Sequence, residues 1–283
     1  MNTIDLFGDD TVFASIVERN IQEFVDDTLK TIAFSAFVYC NALSTISCPS
    51  CTTIGERAFS GCTSLTTIDF PECTTIQSSA FHKCIKLTTA DFPKCTTIGS
   101  DAFISCSNLT TANFPKCTTV QASAFAYCSN LTTANFQECT TIYSSAFASC
   151  SSLRTLDLPK CKTLSYYALA YCRNLTSISL PLLEYPNTYT FYYCQNLTSI
   201  SLPVCKAIYD TTFRSCTRLS EIYIGTSDCR LFSSMTFYST GIKSNAGSIY
   251  VPSEYVDAYK ASTNWNYFTN RIFGYDFENN TPV

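Results

Sequence analysis

Eighteen cysteines and a single histidine are the side chains of this chain with reactive potential. A cysteine nucleophile needs a base or a cation beside it to become a thiolate. The only candidate base, His82, lies between Phe81 and Lys83 at a position that varies freely and is expected to face solvent. Cys48-Pro-Ser-Cys51 is an isolated C-x-x-C, whereas a structural zinc site wants a second pair of ligands. Both of its cysteines also occupy positions whose counterparts point inward. Glycine totals eight, and no phosphate-cradling glycine loop occurs. These residues support no catalytic group, no metal site and no cofactor.

The spacing of the cysteines says more than their number. Cys40, Cys62, Cys84, Cys106, Cys128, Cys150, Cys172, Cys194 and Cys216 recur every 22 residues. Cys51, Cys73, Cys95, Cys117, Cys139, Cys161 and Cys205 form a second series on the same step. Leucine keeps that step from Leu43 to Leu219, within the pattern L-x-x-I-x-F-P-x-C-T-T-I-x-x-x-A-F-x-x-C-x-x. A self-similar period of this length with leucine-type positions is the signature of a leucine-rich-repeat solenoid of the α/β class. In-register coils stack about 4.8 Å apart, while a disulfide draws Cβ atoms to about 3.8 Å on converging vectors. Two ladders of reduced, buried cysteines are therefore expected.

Within a coil, Leu65, Ile68 and Phe70 point in while Thr67 and Asp69 point out, which reads as a short strand ended by Pro71. Stacked strands predict one long parallel sheet. Ala80, Phe81 and Cys84 share one face of a helical or 3-10 turn on the opposite wall, with Phe59, Phe81, Phe103, Phe125 and Phe147 stacked inside. The coil 175–196 departs from the pattern at Leu183, Pro186 and Thr190, so the wall there should bulge or shift. Phe237 lies 24 residues beyond Phe213, which implies an insertion.

Three segments result: an end cap over 1–20, a solenoid of about ten coils over 21–248, and a C-terminal strand, helix and cap over 249–283. Ile4, Leu6, Phe7, Val12, Phe13, Ile16 and Val17 would cover the first coil. Ile249 and Val251 form a last strand, Glu254 to Ala261 a closing helix, and Trp265, Phe268 and Ile272 the final packing. The tail from Glu278 to Val283 should fray.

Net charge is −4 with 14% charged residues, so there is no footprint for nucleic acid. No apolar run reaches the ~18 residues of a membrane span. The opening MNTIDLFGDD has neither the basic nor the apolar region of a secretory signal.

Two outward patches could recognise a partner. Sixteen of the eighteen tyrosines follow residue 140. Tyr167 and Tyr171, with Tyr189 and Tyr193 one coil on, should form a two-by-two patch that Tyr166 and Tyr192 extend. Tyrosine offers rigid contact area with a polar tip, suited to protein or glycan. The second patch is the column Asp69, Asp91, Asn113, Asn135 and Asp157 beside a column of threonines. It is a face for weak calcium or sugar binding, or simply a solvated one whose asparagines relieve repulsion. Asn-Leu-Thr at 108, 130, 174 and 196 matches the glycosylation sequon, but its leucine is a core position.

AFHKCIKLTTADFP (80–93) and AFASCSSLRTLDLP (146–159) resemble the BspA-like leucine-rich-repeat family, as does the closing IYVPSEYVDAYKASTNW (249–265). The resemblance spans roughly 21–224 and carries no catalytic residues. It implies a bacterial surface protein, extracellular or on the cell wall, that binds host proteins or cells without enzymatic activity. A monomer binding a protein or glycan is the first expectation. The alternative is a structural or assembly protein, cytoplasmic or carried on a phage-like particle.

Overall fold

The extended steps of each coil pair in parallel with the same steps of its neighbours. The computed structural model describes residues 3–4, 20–244 and 247–283. The L-T-T-x-D/N step supplies strands such as Thr67–Asp69, Thr89–Asp91 and Thr111–Asn113. Their registers advance by one repeat, as in Thr111↔Thr133 and Asn113↔Asn135. This strand face runs as three successive sheets. Beside it lies a second parallel wall that the reading of the repeat did not foresee. The T-T-I step gives two-residue strands from Thr31–Ile32 to Thr163–Leu164, joined with Thr3–Ile4 into an eight-stranded sheet. Two residues are too few to show a period, and only stacking makes them strands.

The third wall carries the A-F-x-x-C segment. The amides of Ala80, His82 and Cys84 donate to carbonyls three residues back, at Gln77, Ser79 and Phe81. The intervening amides of Ser79, Phe81 and Lys83 donate instead to Ser100, Ala102 and Ile104 of the next coil, at 2.7–2.9 Å. The expected helical turn is therefore a series of i→i−3 turns in which every second amide points along the solenoid axis. Left-handed backbone makes the alternation possible: Ser79 and Lys83 both have φ of 56°, and their counterparts recur in successive coils. Such φ values cost an L-residue about 1–2 kcal/mol, and the bond to the next coil compensates.

Phenylalanine fills the interior in two columns. Phe59, Phe81, Phe103, Phe125 and Phe147 stack with centroids 5.0–5.3 Å apart and planes within 13° of parallel. Phe70, Phe92, Phe114 and Phe136 form a second stack. The two columns mesh edge to face, as at Phe103–Phe114 (5.8 Å, 67°), the geometry the ring quadrupole favours.

All eighteen cysteines are buried thiols. In the first series each thiol from Cys62 to Cys216 reaches back to a neighbouring coil: Cys84 Sγ donates to the Phe59 carbonyl at 3.2 Å, and Cys106 Sγ to Phe81 at 3.1 Å. In the second series the thiol turns to its own coil, Cys73 to Thr75 and Cys95 to Thr97. Burial pushes Cys106 and Cys172 up to about 12, far from the thiolate range.

The coil 175–196 breaks the T-T-I wall, which stops at Thr163–Leu164 and resumes at Ala207–Ile208. Pro186 sits where the column has isoleucine. The amide that should follow it is replaced by a side chain: Asn187 Nδ2 donates to the Leu164 carbonyl at 2.8 Å. One coil earlier the Ser165 backbone amide makes the same bond, to Ile142. Thr190 opens a new column with Thr212 and Thr236, all fully buried. Their hydroxyls are satisfied by the carbonyls of Asn187 and Tyr209.

At the C-terminal end, Ser248–Pro252 pairs with the preceding strand. A 3-10 turn at Ser253–Tyr255 leads into the helix Val256–Ala261, in place of one continuous helix. Trp265, Phe268 and Ile272 are buried, and the indole donates to the Cys229 carbonyl. The tail does not fray as expected. Ile272–Asp276 adds in parallel to Ser248–Pro252, and Thr281–Pro282 folds back antiparallel on it. Asp276 Oδ1 holds the bend by accepting the amides of Glu278 and Asn279, both at 2.9 Å. Of the residues assigned to the N-terminal cap, Ile4 pairs through its backbone with Ile32; Leu6, Phe7, Val12, Phe13, Ile16 and Val17 lie outside the described residues.

Three outcomes are expected. Phe103→Ala should cost about 3–5 kcal/mol in equilibrium denaturation. Lys83→Gly, at an exposed left-handed position, should stabilise by up to ~1 kcal/mol, whereas Lys83→Val should destabilise by a similar amount or more. Iodoacetamide at pH 8 should leave the native thiols unmodified and label all eighteen once the chain is unfolded, read by intact mass.

Candidate functional site

The left-handed positions of the third wall, most often serine elsewhere and tyrosine singly at Tyr39 and Tyr127, both carry tyrosine in two adjacent coils. Tyr167, Tyr171, Tyr189 and Tyr193 have φ of 57°, 62°, 60° and 59°. These four side chains lie outside the buried core, and the 22-residue step places like above like. Tyr167 stacks on Tyr189 at 4.6 Å and 6°, and Tyr171 on Tyr193 at 5.3 Å and 24°. Tyr192 binds the two stacks together, standing edge-on to Tyr171, Tyr189 and Tyr193 at 4.7–5.3 Å.

Five of the six expected tyrosines thus form one ridge. Tyr166 does not join it: it is 55% exposed, and no ring contact to it occurs among the described residues. Partial burial, and then the neighbouring rings, raise the hydroxyls of Tyr167 and Tyr192 above the ordinary phenol value. Arg214, which follows Tyr192 in its column, lies 5.3 Å from the Tyr238 ring and extends the aromatic surface by a cation–π contact.

The acidic column is a hydrogen-bonded ladder along part of its length. Asn113 Nδ2 donates to Asp91 Oδ1 and Asn135 Nδ2 to Asn113 Oδ1, each at 2.7 Å. Ser47 donates to Asp69 at 2.8 Å, and Gln137 reaches Asp157 at 3.5 Å. Amides between carboxylates supply the relief that a cation would otherwise provide. Among the described residues no group of three or more cysteine, histidine or carboxylate side chains is placed to hold a metal ion. The sequon asparagines also pair with their own counterparts, Asn130 with Asn108 and Asn196 with Asn174.

His82 is half-buried, and burial with the adjacent Lys83 holds it below its ordinary value. Cys48 and Cys51 are fully buried. Burial pushes Cys48 up to about 12, a value at odds with metal or nucleophile chemistry.

The repeat gave no sign of a second aromatic group at the end of the strand face. Tyr223 stacks on Tyr250 at 4.7 Å, and Tyr275 meets both at 5.0 and 5.5 Å. Its members lie 27 and 25 residues apart, off the repeat step, which hid the cluster. The available signal was the replacement of Asp or Asn by tyrosine at positions 223 and 250 in that outward column.

No curated protein matches the sequence. The chain is similar in structure to a leucine rich cell surface protein of Faecalibacterium prausnitzii A2-165, at 20% identity over 87% of this chain and 85% of that one, TM-score 0.40. It is similar to a leucine-rich repeat protein of Bacteroides ovatus ATCC 8483, at 19% over 91% and 85%, TM-score 0.40. A leucine rich repeat protein of T. pallidum aligns at 27% over 70% and 78%, TM-score 0.40. The model of the BspA type leucine rich repeat region matches residues 30–154 and 140–255 in six copies. Most of the chain is covered by that match, and it belongs to the BspA type leucine-rich repeat family.

Proposed function

We propose that this chain is a non-enzymatic recognition scaffold that binds a partner protein through the tyrosine ridge of Tyr167, Tyr171, Tyr189, Tyr192 and Tyr193. The observation that carries this reading is the mutual packing of these rings, four of them on left-handed backbone, from the stacked Tyr167–Tyr189 pair at 4.6 Å to the edge-on Tyr192–Tyr193 pair at 4.7 Å. Rings fixed before binding lose little conformational entropy on contact, and tyrosine is among the residues that dominate interface energetics. Five clustered phenols with a guanidinium at the margin make an amphipathic patch of the kind a folded protein surface covers. The family's repeats suit a protein-interaction scaffold. The finer reading, an adhesin-like contact with a host protein at the bacterial surface, follows the family resemblance. The described residues include no helix long and apolar enough to cross a membrane.

Serine occupies the same columns at Ser145 and Ser149, also left-handed, so Tyr→Ser is compatible with the backbone. The variant Tyr167→Ser/Tyr171→Ser/Tyr189→Ser/Tyr193→Ser should keep its circular dichroism and elution volume. On an array of host extracellular-matrix proteins it should lose about a hundredfold or more in affinity for whatever the parent chain retains. Unchanged retention would overturn the reading. A parent chain that retained nothing and instead formed end-to-end oligomers would favour the assembly role.

A further inference from the structure

The outward side of the strand face changes size abruptly near its C-terminal end. One column runs Asp157, Ser179 and then, across the break between two successive sheets, Ser201, Tyr223, Tyr250; the other runs Thr155, Ser177 and, across the same break, Ser199, Glu221. The serines leave a recess, and Tyr223 stands at its far side. The C-terminal hairpin closes it from the side. Tyr275 packs edge-on to Tyr223 at 5.0 Å, Phe277 packs on Tyr275 at 5.0 Å, and Asn280 sits at the mouth. The result is a pocket of about 320 Å³, at the small end of ligand sites, which run from about 300 to 1,000 Å³.

Its walls are held in place. Tyr223 is backed by Tyr250 and its hydroxyl donates to Glu221 Oε2 at 3.0 Å. Tyr275 is 8% exposed and its hydroxyl donates to Asn280 Oδ1 at 2.9 Å, which fixes the hairpin over the recess. Among the described residues the Asn280 side-chain NH₂ has no acceptor, and Asn280 lines the recess. No charged side chain lines the pocket, so neither an anion nor a metal ion finds a counter-charge there. What remains is aromatic surface, with the aliphatic Ile178 and Ile200, facing a row of hydroxyl groups and one amide. A ligand matching both has apolar C–H faces and hydroxyl edges, without charge.

We propose that this recess is a binding site for a neutral saccharide unit, its ring packed against Tyr223 and Phe277 and its hydroxyl groups bonded to Ser177, Ser199, Ser201 and Asn280. The site is separate from the tyrosine ridge and stands or falls without it.

The test is saturation-transfer NMR and calorimetry on the full chain with methyl glycosides of neutral hexoses and N-acetylhexosamines, and with sialic acid and a sulfated monosaccharide as charged controls. Binding of at least one neutral glycoside in the millimolar range or tighter is expected, with none for the charged pair. Ser201→Trp, which fills the recess from an exposed strand position, should abolish it. Phe277→Ala should weaken it about tenfold or more, while the four-tyrosine ridge variant should bind as the parent does. No neutral glycoside bound at millimolar concentration, preference for a charged sugar, or binding that survives Ser201→Trp would each overturn the proposal.

Discussion

Every feature of this molecule depends on the axial hydrogen bond between one coil and the next. On the third wall it is drawn from Phe59 to Ala80, Phe81 to Ala102, Phe103 to Ala124 and Phe125 to Ala146, each at 2.7 Å. These bonds require the chain to return to the same place after each repeat, and they require left-handed backbone at two positions per coil. The penalties of that backbone are local and the compensation is not, because each coil is satisfied only by its neighbour. An isolated coil would keep the strain and lose the bonds. Stability of a stack built this way is a sum over interfaces, so identical side chains in register are favoured: phenylalanine on phenylalanine, asparagine on asparagine, cysteine beside cysteine.

The cysteines illustrate why a residue type is chosen on packing grounds. The Phe81 carbonyl already accepts the Cys84 amide, and the Cys106 thiol adds a second donor to it. Alanine would leave that lone pair empty and a void beside the ring. Valine would overfill the space. A thiol is small, apolar and a weak donor, and in these surroundings its acidity is suppressed by burial. The same order also gives the surface its character. Side chains that leave the stack inherit its regularity, so rings and amides arrive already aligned, and any departure from the repeat appears as a step or a recess.

Much of this was legible in the residues. The solenoid, the inward set, the reduced cysteine ladders and the stacked Phe59 to Phe147 column followed from the 22-residue step alone. The pairing of Tyr167 with Tyr189 and of Tyr171 with Tyr193 did too, since it needs only the step and an outward direction. What escaped was decided by hydrogen bonds that leave no trace in composition. Thr75–Ile76 is a strand only because Thr53–Ile54 and Thr97–Ile98 lie on either side. Ala80-Phe81 has helical spacing, yet the next coil captures every second amide. Tyr166 lies next to Tyr167 in sequence but outside the ridge: one repeat on from it stands Thr188, which offers no ring to stack against. The closing hairpin over 276–280 depends on Asp276 and Asn280, polar residues that the usual reading of a chain terminus discounts.

The most direct test of this account is a through-hydrogen-bond NMR correlation from the amide of Phe103. Coils stacked as described predict a cross-peak to the carbonyl carbon of Ala124, twenty-one residues ahead, with equivalents from Phe81 to Ala102 and from Phe125 to Ala146. A correlation from Phe103 to Gly99 or Ser100 would mean that the amide is spent inside its own turn as in a helix, and the axial stack described here would be contradicted.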